Sequence, residues 1–118
     1  MPKPRRPKPE PVPDLIVPTV ATLRKYGMTV DEWLTIAEAQ GMSCAICRRV
    51  PKSGRLCIDH QHVRGWKRMK PEDRRRYVRG VICFLCNGKC VNKWMNVERA
   101  AAVLEYLTKY RDQLEKVK

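Results

Sequence analysis

Long apolar runs are missing from this chain of 118 residues, and acidic residues are few. No stretch approaches the roughly 18 apolar residues of a membrane-spanning helix, which argues against an integral membrane protein. The basic N-terminus lacks the apolar segment of a secretory signal peptide. We therefore expect a cytoplasmic protein whose cysteines stay reduced, and the length fits one domain.

The scarcity of acidic residues leaves a large positive charge. Only 12 Asp and Glu oppose 25 Lys and Arg, so the formal charge is +13. Such an excess on a short chain predicts a polyanionic partner, either nucleic acid or an anionic membrane surface. Residues 64–79 set eight basic residues against two acidic ones, which predicts a DNA-binding surface. The predicted DNA-binding residues are Arg64, Lys67, Arg68, Lys70, Arg74, Arg75, Arg76 and Arg79.

Prolines, in contrast, are abundant near the N-terminus. Residues 1–18 hold seven of the nine prolines and four basic residues. Proline fixes φ and removes a backbone donor, so this segment is predicted to be an extended basic arm. The arm is either a solvated tail or a sliding contact to phosphates. Residues 19–118 are predicted to form the single domain.

Helices are predicted on both sides of the middle segment. A capping box at residues 29–32 predicts a helix that begins there and buries Trp33 in the core. A second helix is predicted over residues 96–115. Its apolar stripe either packs into the core of the chain or forms the seam of a homodimer.

The middle segment is predicted to contain a hairpin. Residues 56–60 alternate in polarity and predict a short strand, and residues 78–83 are its expected partner. Between residues 44 and 87 the pattern indicates a helix only at residues 71–77, where Pro and acidic residues suit a helix N-terminus.

Four of the six cysteines form two CxxC pairs. CxxC places two thiolates on one tight turn, and two such knuckles complete a closed four-sulfur zinc site. One pair alone could be a redox motif, but two pairs that bracket a hairpin favour a structural Zn²⁺. The predicted zinc ligands are Cys44, Cys47, Cys83 and Cys86. Cys57 and Cys90 lack such a partner and are expected to be small, partly buried residues.

Both histidines of the chain lie in Asp59-His60-Gln61-His62, at the end of a predicted strand. Two histidines beside an aspartate are a candidate for a functional site. Asn87 directly follows a predicted zinc ligand, so the zinc site would fix its backbone. The predicted zinc site would therefore support both the motif at residues 59–62 and Asn87.

Together these motifs resemble the bacteriophage recombination endonuclease VII family, a branch of the HNH, or ββα-metal (His-Me finger), nucleases. The resemblance rests on the CxxC at residues 44–47, Asp-His-x-His at 59–62 and Arg-Gly-Val-Ile-Cys-Phe-Leu-Cys-Asn at 79–87. It implies a small α+β fold with a zinc-stabilised ββα-metal core, a catalytic hairpin over residues 56–87 and flanking N- and C-terminal helices.

The resemblance also implies a metal-dependent DNA endonuclease that hydrolyses phosphodiester bonds. Asp59 and Asn87 would hold a catalytic Mg²⁺ or Mn²⁺, and His60 would be the general base. His62 would contact the phosphate or orient water. Branched DNA such as a Holliday junction is one expected substrate, and a phage-encoded enzyme would act in the bacterial host cytoplasm.

Two alternatives stay open at this point. One is an HNH enzyme that nicks duplex DNA, either nonspecifically or at specific sites. The other is a non-catalytic zinc-knuckle protein that binds nucleic acid. This second alternative explains the charge and the cysteines but leaves Asp59, His60 and Asn87 without a role.

Overall fold

The computed structural model describes residues 15–116, so most of the predicted basic arm lies outside the described part. The elements are α1 (Val20–Lys25), α2 (Val30–Ala39), β1 (Cys57–His60), α3 (Pro71–Arg74), β2 (Val78–Ile82), α4 (Phe84–Lys89) and α5 (Val97–Lys116). Short 3₁₀ turns lie at Trp66–Arg68 and Arg75–Tyr77. A small α+β fold with a two-stranded sheet and helices is thus confirmed.

α2 begins at the predicted capping box. The Glu32 N–H donates to the Thr29 hydroxyl at 3.1 Å, and the Thr29 N–H donates to the Glu32 carboxylate at 3.2 Å. Gly27 turns the chain ahead of this cap at φ +65°, and a Cβ there would collide with the Pro71 carbonyl. Trp33 follows the cap and is fully buried, as predicted.

β1 and β2 form an antiparallel hairpin, and each strand is one residue shorter than predicted. Asp59 lies opposite Gly80, whereas His60 lies opposite Val78. The register therefore breaks between Asp59 and His60, and Arg79 is the extra residue of a β-bulge. A bulge bends its strand and redirects a side chain, which here is that of Arg79.

The Gln40 side chain joins the end of α2 to the sheet. Its amide nitrogen donates to the Val81 carbonyl at 2.7 Å, and its oxygen accepts from the Val81 N–H at 3.0 Å. The amide thereby satisfies the backbone of β2 as an added strand would. A Cβ at Gly80 would come within 2.6 Å of the Gln40 oxygen, so a larger residue there would displace the Gln40 side chain.

The local residue pattern did not indicate α4, although the ββα-metal core implied by the family resemblance includes a helix after the hairpin. It has six residues and includes Gly88, so its intrinsic helix propensity is low. The helix begins because the Cys83 sulfur accepts a hydrogen bond from the Cys86 N–H at 3.4 Å and caps the first turn. β2 ends just before this cap, and Asn87 lies within the helix.

The core is small and lies between α1, α2, the cysteine turns and the sheet. Leu15 packs against it, so the last residues of the predicted arm contact the body of the protein. The buried apolar residues in the described part are Leu23, Met28, Trp33, Ala37, Cys44, Leu56, Ile58, Val81, Ile82 and Cys86.

α5 lies outside this core. Asn96 caps the helix, since its side-chain oxygen accepts from the Arg99 N–H at 2.7 Å. None of its 20 residues is buried, so the alternative in which its stripe packs into the core is wrong. The core is formed around α2 and the sheet, and α5 contributes no buried residue to it. No helix within residues 15–116 is both long and apolar enough to cross a bilayer.

Candidate active site

Four cysteine sulfurs meet where the turn at residues 44–47 contacts the start of α4. Their Sγ atoms all lie within 4.8 Å of one another, and the Cys47 and Cys83 sulfurs are 3.8 Å apart. A tetrahedron with four Zn–S bonds of about 2.3 Å places its sulfurs about 3.8 Å apart. The cluster of Cys44, Cys47, Cys83 and Cys86 could therefore hold a metal ion, and its geometry is compatible with zinc.

Backbone donors support this cysteine cluster. The Ile46 N–H donates to the Cys44 sulfur at 3.4 Å, and the Cys86 N–H donates to the Cys83 sulfur at the same distance. Such hydrogen bonds stabilise a thiolate, the form in which cysteine ligates a metal. The Asn87 N–H donates to the Cys83 carbonyl at 2.9 Å, so the cluster also fixes the position of Asn87.

A cleft of about 340 Å³ opens beside the cluster and collects the predicted catalytic residues. Asp59 and His60 come from the end of β1, His62 follows β1, and Asn87 comes from α4. Three of these residues were predicted from the motif at residues 59–62 and the fourth from residue 87, and all four line this one cleft. Its lining is Tyr26, Ile58, Asp59, His60, His62, Asn87, Gly88, Asn92 and Lys93.

Asp59 is the buried charged residue of this cleft, with 6% of its surface exposed. The bulged Arg79 binds its carboxylate with two hydrogen bonds, Nε to Oδ2 at 2.8 Å and Nη2 to Oδ1 at 3.0 Å. A bidentate guanidinium compensates a charge that would otherwise be unfavourable to bury. A carboxylate has about four lone-pair positions, so further ligands have room on the same oxygens.

His60 lies among aromatic rings. The Trp66 ring stacks on it with 3.8 Å between centroids, and His62 lies 4.9 Å away. Burial lowers the pKa of His60 below its ordinary value, and the neighbouring charge of His62 lowers it further. The neutral imidazole, which can accept a proton, is thereby favoured at neutral pH.

Three of the eight predicted DNA-binding residues make contacts inside the protein. Arg74 donates to three backbone carbonyls, Arg75 pairs with Glu32 at 2.7 Å, and Arg79 holds Asp59. The other five are exposed, and no salt bridge involves them within residues 15–116. These five residues are Arg64, Lys67, Arg68, Lys70 and Arg76.

A second, basic cleft of about 740 Å³ adjoins the first. His60 and His62 line both clefts, and Arg64, Lys67 and Arg68 supply the charge of the second. A polyanion bound there would therefore pass directly over the two histidines.

Sequence analysis missed several residues of the site. Tyr26, Trp66 and Lys93 line the two clefts, although none was predicted to do so. A tryptophan within a strongly basic segment was the available signal for Trp66. Of the remaining cysteines, Cys57 is half-buried as expected, but Cys90 is exposed because it follows the end of α4.

Comparison with known protein families decides the class of this protein. The model of the family described as recombination endonuclease VII matches residues 20–109. The chain belongs to this family. The match contains the cysteine cluster and both clefts. The family's description names a recombination endonuclease.

Two similar proteins come from mycobacteriophages, and each is named Gene 59 protein. The protein of Mycobacterium phage D29 is 36% identical over 90 residues, which cover 74% of this chain and 47% of that protein. The protein of Mycobacterium phage L5 is 38% identical over 88 residues, which cover 72% and 46%. The chain thus spans about half the length of these relatives. No solved structure gives a significant match.

Proposed function

We propose that this endonuclease VII family member is a metal-dependent DNA endonuclease of the HNH type, which hydrolyses phosphodiester bonds. The observation that carries the proposal is the single cleft lined by Asp59, His60 and Asn87. The order β1, β2, α4 supports a ββα-metal core. In this proposal the cysteine cluster binds a structural Zn²⁺ that holds α4, and therefore Asn87, against the hairpin.

The donor set of the cleft fits a hard divalent cation. Asp59 offers carboxylate oxygens and Asn87 an amide oxygen, and Mg²⁺ or Mn²⁺ prefers oxygen ligands. When bound, the cation would stabilise the negative charge that develops on the scissile phosphate. Arg79 holds the buried Asp59 carboxylate in a fixed orientation through two hydrogen bonds.

His60 is the proposed general base. It would accept a proton from the water that attacks phosphorus, and its half-buried imidazole, whose pKa is lowered by burial, suits this task. His62 lines the same cleft and would contact the phosphate or orient that water. The exposed basic residues of the second cleft would bind the flanking phosphates without reading sequence.

Branched DNA such as a Holliday junction is the finer substrate proposal, and it is supported by the description of the family as recombination endonucleases. A pair of active sites in a homodimer would cut two strands of one junction, and the exposed stripe of α5 offers a seam for such a pair. A monomeric enzyme that nicks duplex DNA is the competing proposal.

The direct test compares His60→Ala with Gln61→Ala. Loss of a general base lowers a rate by about 10²–10⁴-fold, whereas the exposed neighbour Gln61 serves as the matched control. Cleavage is measured on a supercoiled plasmid and on a synthetic four-way junction, with Mg²⁺ or with EDTA. We expect cleavage only with the metal, and paired cuts in the junction. Near-wild-type cleavage by His60→Ala would refute the proposed mechanism.

A test of the binding surface uses salt dependence. Replacing Arg64 and Arg68 by Gln should reduce the slope of log affinity against log salt by roughly 0.9 for each duplex phosphate that is no longer neutralised. Arg75→Gln is the control, because Arg75 is engaged with Glu32. Equal slopes in all three proteins would show that the second cleft does not bind phosphates.

A further inference from the structure

The connection between β1 and β2 brings an indole against the proposed base. The Trp66 and His60 rings are nearly parallel, with 12° between their planes and 3.8 Å between their centroids. Tyr26 lies 5.9 Å from His60 and 6.0 Å from Trp66, so it borders the same pair. One face of the His60 imidazole is therefore covered by the indole of Trp66.

Arg74 holds the Trp66 indole in place. Its guanidinium donates to the carbonyl oxygens of Trp66 at 3.1 Å, Lys67 at 3.2 Å and Lys25 at 3.0 Å. Its central carbon also lies 5.2 Å from the centroid of the Trp66 ring. Arg74 thus ties the 3₁₀ turn that carries Trp66 to the end of α1.

We propose that Trp66 is a positioning residue for His60 and that Arg74 in turn positions Trp66. This inference rests on the proposed nuclease function, in which His60 accepts a proton. The lone pair of a neutral imidazole nitrogen lies in the plane of the ring, so stacking covers the face and leaves the accepting edge free. A base that is misplaced by about 1 Å can lose about 10²-fold in rate.

The position of Trp66 also distinguishes this role from direct DNA binding. An indole that binds DNA by stacking needs a free face for a base. His60 stacks on Trp66, and the Arg74 guanidinium also lies over the indole, 5.2 Å from its centroid, so the ring offers little free face to a base. Loss of the indole is therefore expected to lower the catalytic rate constant and to leave DNA affinity nearly unchanged.

The first test reads the stack without any activity measurement. A proton above an aromatic face is shifted upfield in the proton NMR spectrum, so the ring protons of His60 should be shifted upfield in the wild-type protein. Spectra are recorded at about pH 8, above the ordinary imidazole pKa of about 6.5. Trp66→Leu should remove the shift, Trp66→Phe should retain much of it, and Trp94→Leu should leave it unchanged because Trp94 is an exposed tryptophan outside the stack.

The same spectra test Arg74. Arg74→Met should reduce the upfield shift of His60, because the turn that carries Trp66 loses two hydrogen bonds and its link to Lys25 at the end of α1. Arg76→Met is the matched control, since Arg76 is exposed and contacts Tyr77 instead. A His60 resonance that is identical in the two variants would refute the role of Arg74.

The second test measures cleavage with saturating DNA and Mg²⁺. We expect Trp66→Leu to lower the catalytic rate constant by about 10–100-fold, and Trp66→Phe to restore most of it. Trp94→Leu should cleave like the wild-type protein. A weaker affinity with an unchanged rate constant would instead show that Trp66 binds DNA directly and would overturn the inference.

The outcomes separate this inference from the function on which it rests. If wild-type protein shows the shifted His60 resonance but cleaves no DNA, the proposed function fails and the stack remains a structural feature only. If wild-type protein cleaves DNA and Trp66→Leu loses the shift without losing rate, the function stands and the positioning role is overturned. A Trp66→Leu protein that keeps the shift also overturns it.

Discussion

Burying a carboxylate is unfavourable unless its charge is compensated, and Asp59 meets this condition through one bulged arginine. The side chain of Asp59 is 7% exposed, whereas that of Arg79 is 40% exposed. The pair therefore lies at the edge of the core, with the Asp59 carboxylate inside and the Arg79 guanidinium in contact with solvent. Because the strand register breaks next to Asp59, the bulge aims Arg79 at this carboxylate.

Removing the Arg79 guanidinium should show how far the stability of the protein depends on its pairing with Asp59. We expect Arg79→Met to lower the free energy of unfolding by about 1–3 kcal/mol, the range for a buried polar group that loses its partner. Breaking a fully buried pair costs about 3–5 kcal/mol, but the exposure of Arg79 lets water replace part of the interaction. Urea denaturation measures the change.

Two further variants decide the cause of that change. Asp59→Asn combined with Arg79→Met should recover part of the stability, because a neutral amide needs no counter-ion. Arg76→Met is the control for removal of an exposed arginine. If Arg79→Met unfolds at the same urea concentration as Arg76→Met, the ion pair does not stabilise the fold.

At the scale of elements, α4 depends on the cysteine cluster more than on its own sequence. Six residues are too few for a helix to persist alone in water. Its first turn is capped by Cys83 and joined by the cluster to the turn at residues 44–47. A metal in the cluster would therefore determine whether Asn87 reaches the cleft.

We expect the folded protein to contain one tightly held zinc per chain, measurable by elemental analysis. Cys83→Ser should lose the metal and unfold at a lower temperature, because metal binding and folding of small sites are coupled. Cys90→Ser is the matched control, since Cys90 is exposed and lies outside the cluster. Full folding of Cys83→Ser without metal would contradict the structural role.

A second link between elements should depend on pH. The hydrogen bond from Arg75 lowers the pKa of Glu32, and the Thr29 backbone lowers it further. A carboxyl whose folded pKa is below its unfolded value stabilises the protein above the unfolded pKa of about 4.3, and the stabilisation is lost as pH falls through the folded value.

Glu32→Gln should therefore unfold at a lower temperature than wild type near neutral pH and at the same temperature in strong acid. Both partners are about one-third exposed, so we expect a difference of at most about 1 kcal/mol. Thermal unfolding across this pH range measures it. A difference that persists unchanged in strong acid would exclude the ion pair as its cause.

At the scale of the molecule, α5 projects from the core with apolar residues in a regular pattern. The residues at 100, 103, 107, 110 and 114 recur at alternating steps of three and four, which is the spacing of a two-helix seam. Val103, Leu107, Tyr110 and Leu114 are all exposed in this chain. A second copy of α5 would cover the same stripe on both helices.

We expect the protein to be a homodimer in solution, with a mass that light scattering after size-exclusion chromatography can determine. Leu107→Glu places a charge in the stripe and should yield monomers. Ala102→Glu adds the same charge on another side of α5 and should leave the dimer intact. A wild-type protein that stays monomeric at all concentrations would refute the seam.

Local patterns in the sequence were enough to predict those features whose signal lies within a short segment. Spacing predicted the two cysteine pairs, the capping box of α2, both strands and α5, because each signal lies within a few neighbouring residues. Contiguous motifs also predicted the resemblance to the endonuclease VII family, which the family match confirmed. The candidate residues Asp59, His60 and Asn87 could be named in the same way, since they adjoin those motifs.

Contacts between side chains that are distant in sequence were not predictable from local patterns. Arg74, Arg75 and Arg79 look alike in a basic segment, yet each contacts a different partner far along the chain or across the sheet. The stack of Trp66 on His60, the formation of α4 and the exposure of the α5 stripe likewise depend on how distant segments pack. Sequence periodicity shows that a face is apolar or charged, but long-range packing determines what covers it.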